Sequence, residues 1–235
     1  TPIALSSVAA ETYYESLGQN WERAAMIKAR PVAGDLKCGA KFLEHLTPFI
    51  WRKSLDFAAI QDIHSIIRQI QGQNLGDSLG VEGYNIKLGR GGIREIEFFA
   101  QTLQLIWGGR EPKLRSTRTV KTLQDLVTFR HCSKETAKDL TESYKFLRRV
   151  EHRLQMINDE QTHILPQVPI EFNRLASFLG YESSESFRSD IHKYLKITHN
   201  HFSKLFSNNR SLSVKGKGSF SFTGGDSDPA TLKTI

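Results

Sequence analysis

Cysteine is scarce in this chain: Cys38 and Cys132 are the only two in 235 residues. Two thiols cannot build a disulfide framework, and they show no metal-ligand spacing, which points to a reducing cytoplasm. Long apolar runs are missing as well. No stretch approaches the roughly 18 consecutive apolar residues of a membrane helix, so no membrane partner is expected. The N-terminus TPIALSSVAA lacks the charged start of a signal peptide, and the expected location is cytoplasmic. Strict apolar–polar alternation is nearly absent, which argues against a sheet as the main architecture. No Ser-His-Asp, Cys-His or HExxH pattern emerges locally. Nor does an Asp-x-Asp or Glu-x-Asp pair sit on a strand after a Gly-Ser turn, so the carboxylates of any metal-dependent nucleotidyl transfer centre are expected elsewhere.

What is present is helical periodicity. Apolar residues recur three and four apart over long windows, and with 39% hydrophobic residues the chain can bury a sizeable core. The expected class is all-α, a bundle of about seven to eight helices with an irregular C-terminal linker that has room for a short hairpin. Ser6 and Ser7 can cap a helix over about 8–17, which pauses at Gly18 and resumes as NWERAAMIKAR until Pro31. Asp35 can cap LKCGAKFLEHLTPFIWR, which Pro48 should bend or shorten, and Asp56 opens a third helix to about Gln71. Residues 72 to 92 carry seven glycines and form one long irregular connection, functional or mobile. Then come IREIEFFAQTLQLIW up to the Gly108-Gly109 pair, a helix over about 117–131, and the longest one, from Ser133 to about Asp159. The last carries the apolar stripe Leu140, Tyr144, Leu147, Val150, Leu154, Ile157. Helices near 170–179 and 184–206 complete the bundle, so residues 1–206 form a helical domain and 207–235 a linker, with the hairpin at SVKGKGSFSF. The chain starts at Thr1 and closes on SFTGGDSDPATLKTI without a final helix; it is expected to be a piece of a longer polypeptide.

The net charge of +7, from 32 basic against 25 acidic residues, permits binding to phosphates or nucleic acid, but the cations are spread over helix faces. KLGRGGIREIEFF, residues 87 to 99, is the sharpest local feature. A Gly-rich turn entering a helix can offer free N–H groups to an anion. The P-loop and dinucleotide fingerprints both fail here, and the competing reading is that Gly91 and Gly92 simply provide a tight helix entry. Arg94 can pair with Glu97 over Phe98, while Glu95 and Glu97 lie about 200° apart and cannot act together. In NWERAAMIKARPVAGD, Lys28 and Arg30 are either ordinary helix-end cations or ligands for phosphates held by a neighbouring domain. In RRVEHRLQMINDEQTH, Arg148, Arg149, Glu151 and His152 should form a charged ridge opposite the apolar stripe, with His152 structural. His199 and His201 face different sides of their helix and should not share a metal.

The stretches WERAAMIKARPVAGD, IKLGRGGIREIEFFAQTLQLIWGGREPKLRSTRT and YKFLRRVEHRLQMINDEQTHILP, in that order, resemble the bacterial bifunctional glutamine synthetase adenylyltransferase/adenylyl-removing family. Each half of such enzymes joins a polymerase-beta-like nucleotidyltransferase domain to a helical domain, which is shared with the uridylyltransferase of a nitrogen-signalling protein. EHRLQMINDEQTHILP resembles the N-terminal half, which removes AMP from a tyrosine of glutamine synthetase by phosphorolysis. In the adenylylating half the Gly-rich phrase usually carries an Asp at the position of Arg94, and FSFTGGDSDPATLKTI resembles the join leading to that half. A proline is common in the family where Arg90 stands. The resemblance implies a helical domain following an absent nucleotidyltransferase domain, with no catalytic or metal-holding residue in this chain and no activity of its own. The full enzyme would use Mg2+ and ATP, AMP or phosphate, none held tightly by this piece. Its partners would be glutamine synthetase, a nitrogen-signalling regulatory protein and its own nucleotidyltransferase domains. Nucleic acid is not the expected partner. Carried over motif by motif, the nucleotide- or phosphate-side candidates are Trp21, Glu22, Arg23, Lys28, Arg30 and Asp35, then Lys87, Gly89, Gly91, Gly92, Arg94, Glu95 and Glu97. The alternative is a docking module for the regulator or glutamine synthetase that never touches the nucleotide.

Overall fold

The computed structural model describes residues 4–53 and 80–208. The expected helix from Asp56 to Gln71, the first part of the Gly-rich connection and the tail with its hairpin lie outside the described residues. Among those described, the secondary structure is helical with one isolated antiparallel bridge, Asn85 to Ile164. The all-α expectation holds. No described helix is long and apolar enough to cross a membrane.

The first helices follow their caps. Helix α1, Ser7–Ser16, starts where Ser6 Oγ accepts from the Ala9 N–H at 3.2 Å. Helix α2, Asn20–Met26, starts where Glu22 Oε2 accepts from the Gln19 N–H at 2.8 Å. It stops four residues before the expected end at Arg30. The bonds Lys28 N–H to Ala25 O and Ala29 N–H to Met26 O tighten the last turn, and Pro31 bars Arg30 from the helical region. Asp35 Oδ1 caps α3, Leu36–His45, by accepting from the N–H groups of Lys37 and Cys38. Pro48 cannot donate to the preceding turn, so the chain breaks at Leu46 and restarts as a short α4, Thr47–Ile50.

The main body is built on α5, Ile93–Trp107, which packs against α6, Thr119–Thr128, α7, Lys134–Asn158, and α9, Ser184–Asn208. Helix α8, Pro169–Phe178, closes against α7 and α9, and α2 joins the smaller N-terminal layer to α5. Helix α6 is shorter than the expected 117–131: Arg130 turns left-handed at φ 62 and the His131 N–H returns to Leu126 O, ending the helix. Ser133 Oγ caps α7 as expected, accepting from the Thr136 N–H at 3.0 Å. From the stripe on α7, Leu140, Leu147, Val150 and Leu154 are buried, with Tyr144 and Ile157 packed at the margin of the core.

The described part of the Gly-rich connection, residues 80–92, is anchored at both ends. Val81 and Ile86 are buried, and Gly83, Tyr84 and Ile86 exchange backbone hydrogen bonds with Leu165 and His163. This pairing with the 160–165 segment sets Lys87 beside His163.

Candidate functional site

Lys28, from the stretch after α2, and Lys87 and Arg94, from the Gly-rich stretch, line one cleft of about 530 Å³ with Glu97, Gln101, Tyr144 and Arg148. Residues 117–120, just before and at the start of α6, form the opposite rim. Five cations, Lys28, Lys87, Arg94, Arg118 and Arg148, face Glu97 there, with Glu151 behind them.

Four of these cations, Lys28, Lys87, Arg94 and Arg148, are held in place. Lys28, just past α2, donates to Thr117 O at 2.8 Å and Thr119 Oγ1 at 3.0 Å, leaving one N–H free of those two bonds. Burial lowers its pKa, and the Glu97 carboxylate acts the other way. Arg94 pairs with Glu97 at 3.5 Å and lies 5.7 Å from the Phe98 ring centre. Lys87 Nζ lies 3.4 Å from His163 Nε2 and 3.6 Å from Glu151 Oε1. Glu151 Oε2 accepts from Arg148 at 2.6 Å, and Glu151 Oε1 lies 3.1 Å from His163 Nδ1. Oε1 has no aligned hydrogen bond, so it is held there by charge. Glu151 is 1% exposed. The expected ridge is therefore corrected at this position: the carboxylate turns inward because three cationic or titratable partners surround it.

The Gly-rich turn forms a helix entry. The N–H groups of Gly92, Ile93, Arg94 and Glu95 bond to Gly89 O, Ile86 O, Lys87 O and Gly92 O. The donors that an anion would need at the start of α5 are occupied. Gly91 has φ +78 and lies against the Leu195 backbone; Gly89 and Gly92 are buried in the same turn. The turn is pinned from outside by Arg90, whose Nε donates to His199 Nε2 at 2.8 Å. That bond makes Nε2 the acceptor and directs His199 Nδ1–H towards Glu95 Oε2, 3.3 Å away.

Several candidates lie outside the cleft lining. Arg23 is 1% exposed and donates to Phe49 O and Ile50 O, tying α2 to α4. Glu22 closes the start of α2 and accepts from Tyr13 OH at 3.0 Å. Asp35 caps α3, Glu95 is buried against His199, and Trp21 and Arg30 are exposed. Arg118, Tyr144 and Arg148 line the cleft without having been candidates, and Thr117, Thr119, His163 and Glu151 hold its cations. Burial and the Glu97 carboxylate raise the Tyr144 pKa. In the sequence Arg148 is marked as a member of the charged ridge and of a family motif and His163 only as part of that motif, with nothing that places either beside Lys87.

The chemistry available is anion binding by clustered cations. Among the described residues no three His, Cys, Asp or Glu side chains are grouped to hold a metal ion.

The comparisons agree with the layout. The family model described as GlnD PII-uridylyltransferase matches residues 64–206, and that described as glutamate-ammonia ligase adenylyltransferase matches residues 1–45. The cleft takes Lys28 from the second match and its other walls from the first. Bifunctional glutamine synthetase adenylyltransferase/adenylyl-removing enzymes of Bartonella quintana (strain Toulouse) and Agrobacterium fabrum are each 53% identical over all 235 residues. That of Rhizobium meliloti is 52% identical over the same length. The chain spans 24% of each of these relatives. It belongs to the bifunctional glutamine synthetase adenylyltransferase/adenylyl-removing family, through a helical segment that the GlnD PII-uridylyltransferase family shares with it.

Proposed function

We propose that this chain is the helical domain next to the nucleotidyltransferase domain in the half of the enzyme that removes AMP from adenylyl-tyrosine of glutamine synthetase, with residues 207–235 leading to the second half. The observation that carries this reading is the convergence of Lys28, Lys87, Arg94 and Arg148 on one cleft. In phosphorolysis a phosphate oxygen attacks the phosphorus of the tyrosine-bound AMP, and the bond to the tyrosine oxygen breaks. The products are ADP and a tyrosine hydroxyl, which takes its proton from phosphate or solvent. An anion must approach another anion, so fixed cations lower the barrier.

In this scheme Lys87 and Arg94 hold phosphate charge at the cleft, and Lys28 contributes while keeping α2 docked on the segment before α6. Glu151 aims Arg148 and Lys87. Magnesium, when bound by carboxylates elsewhere in the enzyme, supplies Lewis-acid activation of phosphate, and no step through it is assigned to these residues. The half assignment rests on Arg94, a cation in the cleft where the adenylylating half carries an acid.

The test is Arg94→Ala in the full-length enzyme. Phosphorolytic AMP release should fall by about tenfold or more, with adenylylation of glutamine synthetase within about twofold of the parent. Equal loss of both activities would remove the half assignment. Unchanged phosphorolysis would remove the phosphate role of the cleft.

A further inference from the structure

A second groove, of about 490 Å³, adjoins the first and shares Val120, Tyr144 and Arg148 with it. Its remaining wall is one face of α7: Lys145, Arg149, His152, Arg153 and Met156. With Arg148 these stand at i, i+3, i+4, i+7, i+8 and i+11, a single stripe. The groove lining contains no carboxylate. Among the described residues, no carboxylate forms an ion pair with Lys145, Arg149, His152 or Arg153. Lys145, Arg149 and His152 are exposed, and Met156 is 61% exposed at the far end.

A solvated charged face normally mixes signs, because like charges four apart disfavour a helix. The same chain does so elsewhere: Lys138 faces Glu142 on α7 and Lys121 faces Asp125 on α6. The pairs Lys145/Arg149 and Arg149/Arg153 instead set three like charges four apart in a row beside a groove lining that holds no carboxylate. Arg149 and Arg153 are steadied by aromatic rings, Phe146 at 5.9 Å and Phe178 at 4.7 Å, which leaves their charge available to a ligand. From Lys145 to Met156 the stripe is about 16 Å long. That is the span of about five extended residues. A free nucleotide phosphate is too short to use it.

We propose that this groove is the docking track for an acidic segment of the protein substrate, the stretch flanking the tyrosine whose phosphate enters the neighbouring cleft. The proposal rests on the function assigned to that cleft. Arg148, common to both hollows, marks the junction, and the apolar Met156 and Val120 suit a polypeptide carrying apolar side chains between its carboxylates.

The test uses the full-length enzyme and the triple variant Lys145→Gln/Arg149→Gln/Arg153→Gln, which keeps long polar side chains at all three positions. The probe is a short fluorescent peptide of alternating glutamate and alanine, with oligothymidylate of equal charge as comparison. The variant should bind the peptide about tenfold more weakly and show a raised KM for adenylylated glutamine synthetase at unchanged kcat. Lys145→Glu alone, at an exposed site, should move both values the same way, and serves if the triple variant folds poorly. Unchanged peptide affinity and KM would overturn the proposal. Oligothymidylate binding tighter than the peptide, and lost in the same variant, would overturn it in favour of nucleic acid. Failure of the cleft reading looks different: Arg94→Ala would leave phosphorolysis intact while peptide binding still fell in the groove variant.

Discussion

Gly91 lies against the Leu195 backbone so closely that a Cβ added to it would overlap the Leu195 carbonyl. This contact joins the Gly-rich turn to the middle of α9. With the Arg90–His199 hydrogen bond beside it, the contact fixes where α5 begins and therefore where Arg94 and Glu97 point.

Two substitutions separate backbone strain from close approach. Gly34, at φ +73, has nothing within 4 Å of an added Cβ. Gly34→Ala should cost only the left-handed penalty, about 1–2 kcal/mol. Gly91→Ala combines that penalty with a clash against main chain that cannot rotate away. It should cost clearly more, measured by urea denaturation of the two variants against the parent. Equal losses would show that the Leu195 approach yields without strain.

Glu151 is the one buried carboxylate among the cleft cations. Glu151→Gln leaves Arg148, Lys87 and His163 without their shared counter-charge and should destabilise the fold by about 3 kcal/mol, the low end for a broken buried pair because Arg148 and Lys87 keep some solvent. In a domain of this size that corresponds to a fall in Tm of about 6–12 °C by calorimetry. A change within about 0.5 kcal/mol would show the cluster to be energetically idle.

Acid should weaken the fold in two stages. Burial pushes the His163 pKa down, Lys87 adds to the effect, and Glu151 opposes it. Burial also lowers His131, stacked on Trp107 at 4.1 Å, with Glu111 opposing. The unfolded chain takes up protons at both rings before the folded one does. Their contribution is whole above about pH 6.5 and is lost as pH falls through the window below it. Glu82 is held down chiefly by its hydrogen bond from Arg188, so its contribution is whole above the ordinary carboxylate range and is lost as pH falls through that range and below it. Melting temperatures from pH 7.5 to 5 should decline, and His163→Gln should flatten that decline. An unaltered slope in this variant would remove His163 from the account.

The helices were readable because their signals are local. Asp35 and Ser133 are caps acting on N–H groups two or three residues away, and the α7 stripe repeats within one or two turns. The same locality explains the failures. Pro31 sets the outer limit of α2, but no local signal shows that it closes four residues early at Ile27, which is 3% exposed, and nothing near Glu151 shows a burial imposed by Lys87 and His163.

Helical class, the order of the elements and the family motifs were decided by the amino-acid sequence itself, since periodicity, caps and turn residues act over a few positions. Only the tertiary structure decided that Lys28 would meet Thr117 and Thr119, 89 and 91 residues away, or that Lys87 would meet His163 across 76. Such pairings depend on which helix faces bury each other. Core packing sets that choice, and only then do dispersed cations become one cleft.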